Sequence, residues 1–151
     1  MHFKFFSFVV FSFIFWGCSI KKLKPMERQQ HIEQLTAMLV ELDRNIDEEE
    51  AKDVAKSSID YARNLAKKYK LVAPPLWHNT LVNFGLKERG LCYDWANDLF
   101  VYLSKKKYHT LMFHRIGANI GSYFEHNALS VSAKDADVRQ SYCFRCLASF
   151  R

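Results

Sequence analysis

The chain has 151 residues, 49% of them hydrophobic and 15% aromatic, which supplies the core of one domain and excludes a disordered chain. Its formal charge of +6 is mildly basic. With no basic stripe interleaved with aromatic side chains, nucleic acid is not an expected partner.

The opening stretch, MHFKFFSFVVFSFIFWGC, carries Lys4 and then a run from Phe5 to Trp16 that is apolar except for Ser7 and Ser12. That run is too short to span a bilayer and sits where the hydrophobic region of an export signal belongs. It closes on Gly17-Cys18, which resembles the lipobox of bacterial lipoproteins, although Phe15 and Trp16 stand where that motif usually has leucine and a small residue. The resemblance implies that residues 1–17 are a signal peptide, that Cys18 is the acylated residue, with palmitate or a similar chain, and that 18–26 form a lipidated tether. An uncleaved membrane anchor and an ordinary secretory signal are the alternatives. Each of the three places the body of the protein outside the cytoplasm, and the lipoprotein reading places it in the bacterial cell envelope. Lys21, Lys22 and Lys24 follow the anchor, as solvated linker charge or against anionic headgroups.

Two amphipathic helices come next. Ile32, Leu35, Leu39 and Leu42 mark the apolar face of the first, and Val54, Ile59, Ala62, Leu65 and Tyr69 that of the second. Acidic residues from Asp47 to Glu50 and basic residues Lys67, Lys68 and Lys70 match the two poles of the second helix. Pro74-Pro75 ends it. In the short segment that follows, Trp77, Leu81 and Phe84 share one helical face, and Gly85 is placed to close the turn in the left-handed conformation. A buried helix then starts at or near Cys92, with Trp95, Ala96, Leu99, Phe100 and Leu103 as its apolar face. Beyond it, YHTLMFHRIG and SYFEHNALSVSA read as two antiparallel strands joined by a glycine-containing turn. The fold class is therefore α+β: N-terminal helices, a core helix carrying Cys92 and a small antiparallel sheet.

A cysteine at a helix head is chemically placed. Unpaired amides and the helix dipole favour a thiolate there, and the same amides can act as an oxyanion hole. A buried free cysteine is, however, also an ordinary core residue. His126 adds to the chemical reading, since it opens what is expected to be an inward-facing strand and could form the imidazole half of a pair with Cys92. Asn127, its neighbour, is expected on the opposite face, in a structural role.

GLCYDWANDLFVYL followed by EHNALSVSA resembles the core of the transglutaminase-like, papain-like superfamily of cysteine peptidases, amidases and acyltransferases, over roughly residues 74–133. The resemblance implies that residues 27–151 are one transglutaminase-like domain, with Cys92 the nucleophile and His126 the general base in acyl transfer on a peptide or amide substrate. It offers His78 or Asn79 as additional oxyanion donors and implies no cofactor. A non-catalytic structural or binding lipoprotein is the alternative. No metal is expected: His109 and His114 lie five apart on one presumed strand, His31 sits on a helix, and no recurrent zinc-ligand spacing is present. Oligomeric state is not legible.

In that family an acidic or amide residue on the strand after the histidine orients the imidazole. Here Asp135 and Asp137 fall in a turn. The tail, SYCFRCLASFR, has a Cys143-x-x-Cys146 pair without the surroundings of a redox site. Under one choice of permitted codons, the same stretch read one nucleotide out of frame gives a hydrophobic strand ending in aspartate and tryptophan. The expectation is that the sequence from about Ser141 is a frameshifted end and the domain incomplete at its C-terminus.

Overall fold

A computed structural model describes residues 25–122 and 125–143. Cys18, the preceding apolar run and the tether up to residue 24 lie outside these residues, as does Cys146. Among the described residues, four α-helices and a three-stranded antiparallel sheet follow one another in the order α1 (Pro25–Val40), α2 (Glu48–Lys68), α3 (Pro75–Asn83), α4 (Cys92–Ser104), β1 (Leu111–Ala118), β2 (His126–Ala133) and β3 (Tyr142–Cys143). The class is α+β, with Cys92 in α4.

Helices α1 and α2 form an antiparallel hairpin. Ile32, Leu35 and Leu39 of α1 pack in one core with Val54, Ile59 and Leu65 of α2, and Leu42 falls past the end of α1, half-buried against the same core. Small residues Ala51, Ala55 and Ser58 on α2 are buried and allow close approach. Asp47 caps α2 by accepting from the Glu50 amide at 2.9 Å. Arg28 of α1 is paired with Asp60 of α2, its Nε donating at 2.8 Å, so the first turn of α1 lies beside the second half of α2.

Helix α4 runs antiparallel to α2, and polar ties fix both ends. At one end the Glu50 carboxylate accepts from the amides of His109 and Thr110 and from the Thr110 hydroxyl, at 2.7, 2.8 and 2.6 Å. Asp53 accepts there from Lys106 Nζ at 2.8 Å and the Tyr108 hydroxyl at 2.6 Å. At the other end the Tyr69 hydroxyl donates to Asp98 of α4 at 2.9 Å.

The sheet has the order β1-β2-β3, with Leu111 opposite Ala133, Phe113 opposite Val131 and Val131 opposite Tyr142. Leu111, Leu129, Val131 and Ala133 join Leu99 and Leu103 of α4 in the core. The short strand β3 falls within the stretch in which a shifted frame was expected to begin. Ser141 is hydrogen-bonded to Ser130, and the Ser130 hydroxyl donates to the Tyr142 carbonyl at 3.2 Å. Residues 144–151, which hold the rest of that stretch, are outside the described residues.

Candidate functional site around Cys92

Cys92 is the first residue of α4, and the three residues before it are held from every side. The Asp94 carboxylate turns back to accept from the amides of Gly90 and Leu91, at 2.8 and 3.1 Å, half of a capping box. The Gly90 carbonyl accepts from the Trp95 indole at 3.1 Å, and the Leu91 carbonyl from the Trp95 amide at 3.2 Å. Arg89 donates to Asp94 at 3.0 Å and to Asp98 at 2.8 Å and lies over the Tyr69 ring. No side chain caps the helix from Leu91, the N-cap residue, and the first amides of an α-helix have no partner within the helix itself.

Behind this loop stands His78, which is 1% exposed. Its Nδ1 accepts from the Val72 amide at 3.4 Å, so Nε2 carries the proton and donates to the Arg89 carbonyl at 3.1 Å. Both ring nitrogens are thus engaged. The imidazole has no N–H left for an oxyanion, and His78 holds the loop that leads to Cys92 instead of serving as the donor expected. Gly90 has φ +130°, and a Cβ placed on it would lie 2.1 Å from His78 Nε2. The turn works because a glycine faces the ring.

Asn79 is half-buried, and its side-chain oxygen is buried with no hydrogen-bond partner among the described residues. No hydrogen bond among the described residues joins it to Cys92.

The charged cluster beside the loop sets the local electrostatics. Burial alone would raise the Asp98 carboxyl, but the hydrogen bonds from Tyr69 and Arg89 outweigh it and hold the group below the ordinary carboxylate range. Burial and the Asp98 carboxylate push the Tyr69 phenol upward. Asp98 therefore stays ionised while Tyr69 stays a donor.

On its other side Cys92 meets the start of β2. Its Sγ lies 3.9 Å from the Glu125 carbonyl, the residue before His126. The Glu125 carboxylate accepts from the Asn127 amide at 2.8 Å and the Gly121 amide at 2.9 Å, which hold it below the usual range.

Strand alternation separates the two residues at this point. Leu129, Val131 and Ala133 face α4, so Asn127 falls on that side, and His126 falls on the other with Ser130 and Ser132. This reverses the sequence expectation. His126 is exposed, and no hydrogen bond joins it to Cys92. His114 is on the far face as well, with Nε2 2.9 Å from the Ser132 hydroxyl, whereas His109 precedes β1. Asp135 has φ +70°, and Asp137 caps the short 3-10 turn at Val138–Gln140 by accepting from the Arg139 amide. Cys143 is half-buried in β3.

Sequence reasoning missed Arg89, Asp94 and Asp98 as the frame of the site. An acidic residue three positions after a helix N-cap is a capping-box signal, and Asp94 carried it in GLCYD. No protein-family model matches the chain, and no curated protein or solved structure matches it.

Proposed function

We propose that the protein is an envelope-anchored lipoprotein with a cysteine-dependent acyl hydrolase or acyltransferase core of transglutaminase-like type. The observation that supports it most is Cys92 itself, the first residue of α4, behind a loop in which the amides of Gly90 and Leu91 and the carbonyls of Arg89 and Gly90 are hydrogen-bonded, and with its thiol against the start of β2. Rigid support of this kind is what a nucleophile needs if attack is to occur from one geometry. In the reaction, His126 takes the thiol proton and Sγ attacks the carbonyl carbon of a peptide or amide. The backbone N–H groups of the first turn of α4 donate to the developing oxyanion. The carbon–nitrogen bond breaks, the leaving amine takes the proton from His126, and a thioester remains on Cys92. Water or a second amine then displaces the thiolate. Taking the thiol proton requires His126 to leave its register opposite Ala118 at the start of β2 and cross to the side of Cys92.

The exposed, far-face position of His126 favours a second reading, a non-catalytic envelope lipoprotein in which the same loop is a structural element. Incubation of the full chain with p-nitrophenyl acetate, followed by peptide mass spectrometry, separates the two. The enzymatic reading predicts an acetyl group on Cys92 well before one on Cys143, and loss of that preference in His126→Ala. Equal labelling of both cysteines in both proteins supports the second reading.

A further inference from the structure

The fold has two ends, and they differ in character. One holds the turn between α1 and α2, the start of α2 and the end of α4. The other holds the first turn of α1, the end of α2, α3, Cys92 and the turn between β1 and β2. The ties of Arg28 to Asp60, Tyr69 to Asp98 and Cys92 to Glu125 fix this second grouping. Helix α3 is fastened there too, through Val72 to His78 and through Lys87 Nζ, which donates to the Lys70 carbonyl at 2.8 Å.

Large apolar side chains gather at the second end with more than half of their surface exposed: Met26, Leu76, Trp77, Phe84, Leu86 and Ile120. On α3 the arrangement is ordered. At 100° per residue Leu76, Trp77 and Phe84 share one flank of the helix, and His78, the buried residue, lies opposite. Scattered single exposed apolar residues are ordinary, but an indole, a phenyl ring and aliphatic side chains concentrated at one end are not. Exposed Lys67, Lys68 and Lys70 and half-buried Lys87 surround the same end.

We propose that this end rests on a lipid bilayer, with Trp77, Phe84, Leu76 and Leu86 at the level of the headgroups and the lysines against anionic lipid. The chain outside the described residues fits this occupant. Residue 25 begins at this end, and Cys18 is only seven residues earlier in the sequence, a reach of at most roughly 25 Å. A tether so short holds the end that bears it close to the membrane. The intervening Lys21, Lys22 and Lys24 repeat the charge of the patch. Tryptophan beside aliphatic and basic side chains is the composition that settles at a membrane interface. The docking deepens the lipoprotein reading and takes the tether argument from it, but the exposed patch stands without it. One consequence is that Cys92, at the same end of the fold, lies near the membrane surface, where a substrate held in or near that surface would be.

The test uses the full chain with vesicles of phosphatidylethanolamine and phosphatidylglycerol whose acyl chains are brominated, and reads tryptophan fluorescence. Trp77→Phe should remove a bromine-quenched component. Phe84→Ser with Leu86→Ser should reduce quenching of Trp77 at least twofold while circular dichroism stays unchanged. The mass of the purified protein reports separately whether Cys18 carries lipid. Quenching of Trp77 without lipid on Cys18 sinks the anchor and leaves the docking standing. Lipid on Cys18 with quenching that Trp77→Phe does not alter overturns the docking and leaves the anchor. Trp77 shielded from both brominated lipid and acrylamide, in a protein that sediments as a dimer, also overturns it and assigns the patch to a second copy.

Discussion

The His78 ring fills the space that a side chain on Gly90 would need, with Nε2 2.1 Å from where that Cβ would stand. Gly90→Ala therefore meets two penalties, the clash and a φ of +130° that other residues rarely adopt. We expect a loss of at least ~1–3 kcal/mol from the backbone term alone. His78→Ala removes the ring and two hydrogen bonds, and is destabilising by itself. Because the double variant relieves the clash, its cost should fall below the sum of the single ones, which chemical denaturation of the three variants measures. Simple additivity would contradict the contact.

Arg89→Met keeps the length of the stem but leaves Asp94 and Asp98 without their shared cation. Both carboxylates are largely buried, with side chains 14% and 11% exposed, whereas Arg89 is 37% exposed. Stranding a buried charge costs about 3–5 kcal/mol, but Arg89 is more than a third exposed, Asp98 keeps Lys68 and Tyr69, and Asp94 keeps the Gly90 and Leu91 amides, so the expected loss is about 1–2 kcal/mol. Asp98→Asn in the same background should recover part of it. A midpoint in urea unchanged by Arg89→Met would rule out the pairing as a support of the loop.

Acid should weaken the fold. Burial would raise Glu50, Asp53 and Asp98, but their hydrogen bonds win and all three lie below their ordinary values in the folded protein. The unfolded chain then binds protons before the folded one does, so stability is full above the unfolded values, about 3.9 for aspartate and 4.3 for glutamate, and is lost as pH falls through the lowered ones. The melting temperature should drop between roughly pH 5 and pH 2. Asp98→Asn should flatten part of that slope, and a slope left unchanged would remove Asp98 from the account.

Some of this was legible in the sequence for physical reasons. The α2 register was readable because its face is long and its poles are marked by Asp47 to Glu50 and by Lys67 and Lys68. Gly85, with φ +72°, ends α3 as its type requires. The face of α3 was not readable. The spacing of Trp77, Leu81 and Phe84 marks one apolar face but not its direction: Trp77 is 53% and Phe84 76% exposed, and His78 is the residue inside. A nine-residue helix has few contacts to set its rotation, and here two partners for one imidazole outweigh the burial of two aromatic rings. The Cys92 helix start was also legible, but the side of β2 that His126 takes was not. Alternation fixes only that His126 and Asn127 differ, and the core residues Leu129 and Val131 decide which one faces α4.

The measurement that bears most directly on Cys92 as a nucleophile is its alkylation by iodoacetamide at pH 6, followed residue by residue by mass spectrometry in the native protein and in His126→Ala. The account predicts that Cys92 reacts at least tenfold faster than Cys143 in the native protein and loses that advantage when His126 is removed. If Cys92 reacts no faster than Cys143, and the His126 substitution changes nothing, the thiol is a packing residue and the acyl-transfer reading is contradicted.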